Sequence, residues 1–176
     1  MRMMSDLRYY KLDSDVKKPV RATSGSACFD IYSFFKKTDK ITVFRSDGYE
    51  KVEKVIRSPN GDNLIPINPY ERVMVPTGLI FDIPNGYSVR LYSRSSMALK
   101  DGLMLANNVG IIDSDYVDPV FVILVNISGY IKYIESDNRI CQAELYKNQP
   151  HILQETFKKP EIKTERDGGF GSTGKE

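Results

Sequence analysis

Two acidic side chains stand one residue apart in Val109-Gly110-Ile111-Ile112-Asp113-Ser114-Asp115-Tyr116, where a strand-like run enters a turn. On extended backbone Asp113 and Asp115 would point to the same side, a spacing suited to water activation, to cation binding or simply to a solvated hairpin end. Taken alone, the last reading prevails. A second set, Tyr92-Ser93-Arg94-Ser95-Ser96-Met97-Ala98, gathers hydroxyls and a guanidinium at the entry of a short helical stretch. Free backbone N–H groups there favour an anion and Arg94 adds a charge-assisted bond, although capping and a structural ion pair account for these residues equally well. A third set joins Arg166 to Gly168-Gly169-Phe170-Gly171-Ser172-Thr173-Gly174, whose glycines would let amides crowd around phosphate oxygens. Gly169 to Lys175 also matches seven positions of a nucleotide-binding P-loop, but Glu176 stands where that pattern needs Ser or Thr.

The elements that would carry these residues are mostly strands. Short or alternating apolar runs recur at Val73 to Val75, Leu79 to Ile83, Tyr87 to Tyr92, Val120 to Val125, Ile131 to Ile134 and Ile140 to Tyr146. Turn signals separate them at Asp47-Gly48, Asn60-Gly61, Pro84-Asn85-Gly86 and Ser128-Gly129, which predicts a β sandwich or barrel. One short helix is expected over Ser95 to Lys100, with the two serines as caps. A more polar stretch at about 34–64 carries its own hairpin pattern and reads as an excursion from the main sheet. The arm from about 158 to 176, charged and then glycine-rich, cannot build a core and is expected to be mobile without a ligand.

With 176 residues, 41% hydrophobic and 27% charged, the chain fits one domain over 1–176 able to bury its own core. Twenty-five Lys and Arg against twenty-three Asp and Glu leave a net charge of +2, so nothing calls for a nucleic-acid partner. Cys28 and Cys141, the only cysteines, match neither a metal knuckle nor a disulfide scaffold and are expected to be buried free thiols. Met1 to Asp15 lacks the apolar core of a signal peptide and no stretch reaches membrane-spanning length, so an intracellular, cytoplasmic protein with no membrane partner is expected. His151, the only histidine, follows Pro150 outside every motif and reads as a surface residue.

Taken together, the motifs resemble those of the trimeric dUTPase family. Five appear in family order: Ala27-Cys28-Phe29-Asp30-Ile31, Ser93 to Ala98, Gly110 to Tyr116, Arg139-Ile140-Cys141-Gln142, and Arg166 with Gly168 to Gly174. The resemblance spans roughly residues 20–176. It departs from the family at Ser93 and Ser96, where Pro and Gly are usual, at Val117-Asp118-Pro119 in place of Arg-Gly, and in a fifth motif one residue short.

That resemblance implies an all-β fold, a distorted jelly-roll barrel with one short helix after the second motif. It also implies a dUTP diphosphatase that releases dUMP and pyrophosphate, lowering dUTP and supplying dUMP for thymidylate synthesis. Asp113 would be the base for in-line water attack on the α-phosphorus. Arg94, Ser95, Ser96, Gln142, Arg166, Gly171, Ser172 and Thr173 would hold the phosphates, and Mg²⁺ would be the cofactor, reached by Asp30 through water. Backbone groups from about Leu105 to Val109, with Asn107 and Gly110, would read uracil, Tyr116 would exclude a 2′-hydroxyl, and Phe170 would stack on the base. The site would be shared within a homotrimer.

Two rivals differ in class. A dCTP deaminase shares the Arg-Ser-Ser stretch, but that family places a catalytic Glu in the next strand, and Phe121-Val122-Ile123-Leu124-Val125-Asn126 has no acid. A nucleotide-sensing module would use the 34–64 stretch to contact a protein partner.

Overall fold

The computed structural model of the chain describes residues 6–45, 51–55 and 63–164, with only the strand pairing given for 51–55. Alternation decides which side chains turn inward. In Arg72–Pro76, Val73 and Val75 are buried while Met74 faces outward, as expected of a strand half covered by a core. Among the described residues there are thirteen strands: β1 Arg8–Lys11, β2 Phe29–Tyr32, β3 Lys40–Phe44, β4 Lys51–Val55, β5 Leu64–Ile67, β6 Arg72–Pro76, β7 Leu79–Asp82, β8 Tyr87–Tyr92, β9 Leu103–Leu105, β10 Val109–Ile112, β11 Phe121–Asn126, β12 Lys132–Glu135 and β13 Arg139–Lys147.

They form a four-stranded sheet in the order β10-β8-β13-β2, a five-stranded sheet in the order β4-β3-β6-β11-β9, and the pairs β1-β7 and β12-β5. The ladders are antiparallel throughout. Fully buried Ile31, Val89, Val73, Val75, Val122 and Ala143 come from the inner faces of the two large sheets and fill the space between them. The all-β architecture read from the sequence is therefore what the chain adopts.

Three local expectations need correcting. The hairpin β3-β4 does not stand away from the main sheet: β3 pairs with β6 at Val43–Val73 and Phe44–Arg72, making the hairpin the edge of the five-stranded sheet. The helical stretch exists, but it winds as a π turn over Met97–Asp101, and Ser96 at its start makes no side-chain capping bond. Gly102 ends it at φ 66°, donating its N–H to Met97 O, a conformation that suits glycine. Finally, Cys141 is buried whereas Cys28 is only half-buried. Among the described residues, no helix is long and apolar enough to cross a membrane.

Candidate active site

One functional cluster is assembled by register across the four-stranded sheet. Gln142 on β13 lies opposite Asp30 on β2 and opposite Tyr92 on β8, so the three side chains share one face. Asp30 is held from both sides, its N–H donating to Val20 O at 2.8 Å. Its carboxylate accepts Arg94 Nε at Oδ1 and Arg139 Nη1 at Oδ2, each at 3.2 Å. Arg94 Nη1 donates in turn to Arg139 O at 3.2 Å, and Gln142 Nε2 donates to Ser93 O at 3.2 Å. The Tyr92 hydroxyl donates to Glu144 Oε1 at 2.5 Å, which holds the phenol above its ordinary range. The first, second and fourth sequence motifs thus converge.

Arg139 had no assigned role in the sequence reading. In a regular strand, residues 139 and 142 would face opposite sides. The register of β13 shifts between Arg139 and Cys141, however, and the irregularity turns Arg139 onto the face of Gln142 and Asp30. Arg94, Ser96 and Arg139 border a hollow of about 660 Å³ that Lys17 and Lys132 also line. Ser95 is exposed beside it. This wall offers several cations and hydroxyls to an anion, with Asp30 fixing two of the guanidiniums.

A second pocket, of about 260 Å³, is lined from both large sheets. Asn107, Gly110, Asp113 and Tyr116 line it, with Leu91, Met74, Phe121 and Ile123 as apolar wall. Gly110 is opposite Leu91, and a Cβ built on it would meet Leu91 Cβ at 3.1 Å, so a side chain here would crowd Leu91. Asn108 takes φ 58° in the turn that leads into β10. The backbone does not stay extended past Asp113: Ser114 and Asp115 form a turn, with Tyr116 N–H donating to Asp113 O at 3.2 Å. The condition under which Asp113 and Asp115 would point to the same side is therefore not met, and only Asp113 lines the pocket. Tyr116 sits in the loop, not on a strand face, and its hydroxyl donates to Pro119 O at 3.0 Å, leaving the ring 41% exposed at the pocket.

The two clusters meet along the β8-β10 ladder, yet Arg94 and Asp113 stand apart. Val109 pairs with Tyr92 and Ile112 with Val89, three ladder steps or about 10 Å apart. Arg94 lies beyond the first pair and Asp113 beyond the second. Arg166, Phe170, Gly171, Ser172 and Thr173 lie outside the described residues. His151 is exposed, with Nδ1 2.9 Å from Gln149 O, and belongs to neither cluster.

Among the described residues, no three His, Cys, Asp or Glu side chains are grouped to hold a metal ion. Both Asp30 oxygens carry arginine partners, a donor set that fits a Mg²⁺ ion held chiefly by phosphate and water oxygens better than one bound directly by protein.

Comparison with known proteins gives one consistent result. A profile of the dUTPase family matches residues 61–174. The deoxyuridine 5'-triphosphate nucleotidohydrolase of Hydrogenobaculum sp. (strain Y04AAS1) is 34% identical over 166 residues, covering 93% of this chain and 94% of that relative. The enzyme of the same name from Nautilia profundicola is 34% identical over 171 residues, covering 96% and 99%. Among solved structures, a mutant dUTPase of Staphylococcus bacteriophage 80alpha with dUpNHpp superposes with a TM-score of 0.72 at 19% identity, covering 97% of this chain and 99% of that one. A mutant dUTPase of phage phi11 of S. aureus, described with a structural Mg(II) ion, gives 0.64 at 18% identity, covering 88% and 98%.

Proposed function

The chain belongs to the dUTPase family, and from that premise we propose that it hydrolyses dUTP to dUMP and pyrophosphate with Asp113 as the base. The observation that carries the assignment is the pocket in which Asp113, Asn107, Gly110 and Tyr116 meet. Its apolar walls and glycine floor suit a flat, small base, and Asp113 at its edge can orient a water toward the α-phosphorus and take its proton. Tyr116 lies under the sugar and leaves no room for a 2′-hydroxyl. Backbone groups from Leu105 to Val109 read the uracil edge, so cytosine would leave a buried polar group unpaired, at a cost of about 1 to 3 kcal/mol.

The phosphates need the other cluster: Arg94, Ser95, Ser96 and Gln142, with Arg166, Ser172 and Thr173 of the fifth motif. Arg94 and Asp113 lie beyond opposite ends of the β8-β10 ladder, and the site is read as built from Asp113 of one subunit and Arg94 of another in a homotrimer. Ile152, Leu153, Phe157 and Ile162 support the same reading. Each is about nine-tenths exposed on a segment with no strand partner of its own, as expected of an arm that packs on a second copy. Phe170 from such an arm would stack on the base. When bound, Mg²⁺ would neutralise phosphate charge, with Asp30 acting through water.

The assay is pyrophosphate release with Mg²⁺ across dUTP, dCTP, dTTP and UTP. Strong preference for dUTP is expected. Ammonia release from dCTP would return the deaminase reading.

A further inference from the structure

Ser93 stands between the two clusters and touches both. Its carbonyl accepts Gln142 Nε2 at 3.2 Å, and its hydroxyl accepts the N–H of Leu105 at 2.8 Å. Leu105 is buried and ends β9, the edge strand of the five-stranded sheet. In that ladder Ala106 donates its N–H to Ile123 O at 2.9 Å, so by antiparallel alternation the Leu105 N–H points away from β11 and has no strand to receive it. The Ser93 hydroxyl supplies the acceptor at the point where the chain leaves β9 for the turn over Ala106, Asn107 and Asn108. A buried amide rarely goes without a partner, so this bond fixes where the turn begins.

We propose that Ser93 is a positioning residue for base selection, holding the Leu105 end of the base-reading turn through its hydroxyl while its carbonyl orients Gln142. The proposal rests on the reading that the 105–109 backbone reads the base. One residue thereby ties the phosphate side of a subunit to the base side of the same subunit. In a trimer with sites divided as above, those two sides serve different active sites.

Two measurements test it. Amide hydrogen exchange in the intact protein reads the bond itself: Ser93→Ala should speed exchange at Leu105 at least tenfold while leaving Ile123 and Val125 at the parent's rates. Steady-state kinetics on dUTP and dCTP read the consequence. Ser93→Ala should lower the dUTP to dCTP ratio of kcat/KM about tenfold, mostly through KM for dUTP, and Ser93→Thr should restore the ratio. Asn107→Ala, in the pocket itself, should also lower the ratio. Unchanged Leu105 exchange, equal losses in Ser93→Ala and Ser93→Thr, or a ratio within twofold of the parent in Ser93→Ala while Asn107→Ala loses it, each overturns the role of Ser93. If neither Ala variant changes the ratio although Leu105 exchange quickens, the base-reading assignment itself has failed and the proposal falls with it.

Discussion

Arg94 and Arg139 grip the two oxygens of one carboxylate, Asp30, although the three residues come from three separate segments of the chain. The Arg94 side chain is 21% exposed and that of Asp30 14%, so the pair is sheltered without being sealed. In the proposed reading, Asp30 pre-positions these cations for a phosphate chain, limiting the ordering that substrate must impose. Asp30→Asn keeps the shape and removes the charge. Steady-state kinetics on dUTP should show kcat/KM lower by about ten- to a hundredfold, with the fold intact by circular dichroism. A value within twofold of the parent would mean that the arginines are held without Asp30.

Tyr116 reaches the pocket from a loop, with its hydroxyl tied to Pro119 O, so its ring is a fixed wall rather than a swinging gate. Tyr116→Ala should open room for a 2′-hydroxyl and raise the UTP to dUTP ratio of kcat/KM by about tenfold. The competing-substrate assay decides it, and an unchanged ratio makes Tyr116 structural.

Much of this was legible in sequence because alternation and turn residues are local signals. The runs read at Leu79 to Ile83 and Ile140 to Tyr146 became β7 and β13, with no edge moved by more than one residue. The convergence of Asp30, Arg94 and Gln142 was legible only through resemblance, since pairing between distant strands leaves no trace in spacing. Arg139 escaped notice because its orientation depends on a register shift, which period-two reasoning excludes. Ser93 registered as a departure from the family pattern, but its acceptor role depends on an amide twelve residues away. The same-side spacing of Asp113 and Asp115 required extended backbone, and the Ser114-Asp115 turn, closed by the Tyr116 N–H, removes that condition.

The thiols give a test independent of catalysis. Burial raises the Cys141 thiol far above its ordinary range; Cys28 is raised as well, by desolvation first and then by Glu144. A folded-state pKa above the unfolded one stabilises the protein below the unfolded value, about 8.5, and that stabilisation is lost as pH climbs past it. Urea titrations should therefore show stability falling between about pH 8 and 10, by less in Cys141→Ala than in the parent. In native protein at pH 8, a thiol reagent should modify Cys28 slowly and Cys141 only on unfolding. Prompt modification of both would contradict the burial.

The central claim is that Asp113 and Arg94 act on one dUTP from two different subunits, and mixing inactive variants tests it most directly. Asp113→Asn and Arg94→Ala should each abolish most pyrophosphate release while leaving folded trimers. Unfolded together at equal amounts and refolded, they form mixed trimers in which about a quarter of shared sites regain both side chains, so about a quarter of parental dUTPase activity should return. Mixed trimers confirmed by native mass spectrometry but with no more activity than the separate variants would show that each subunit uses its own Asp113 and Arg94, contradicting the account.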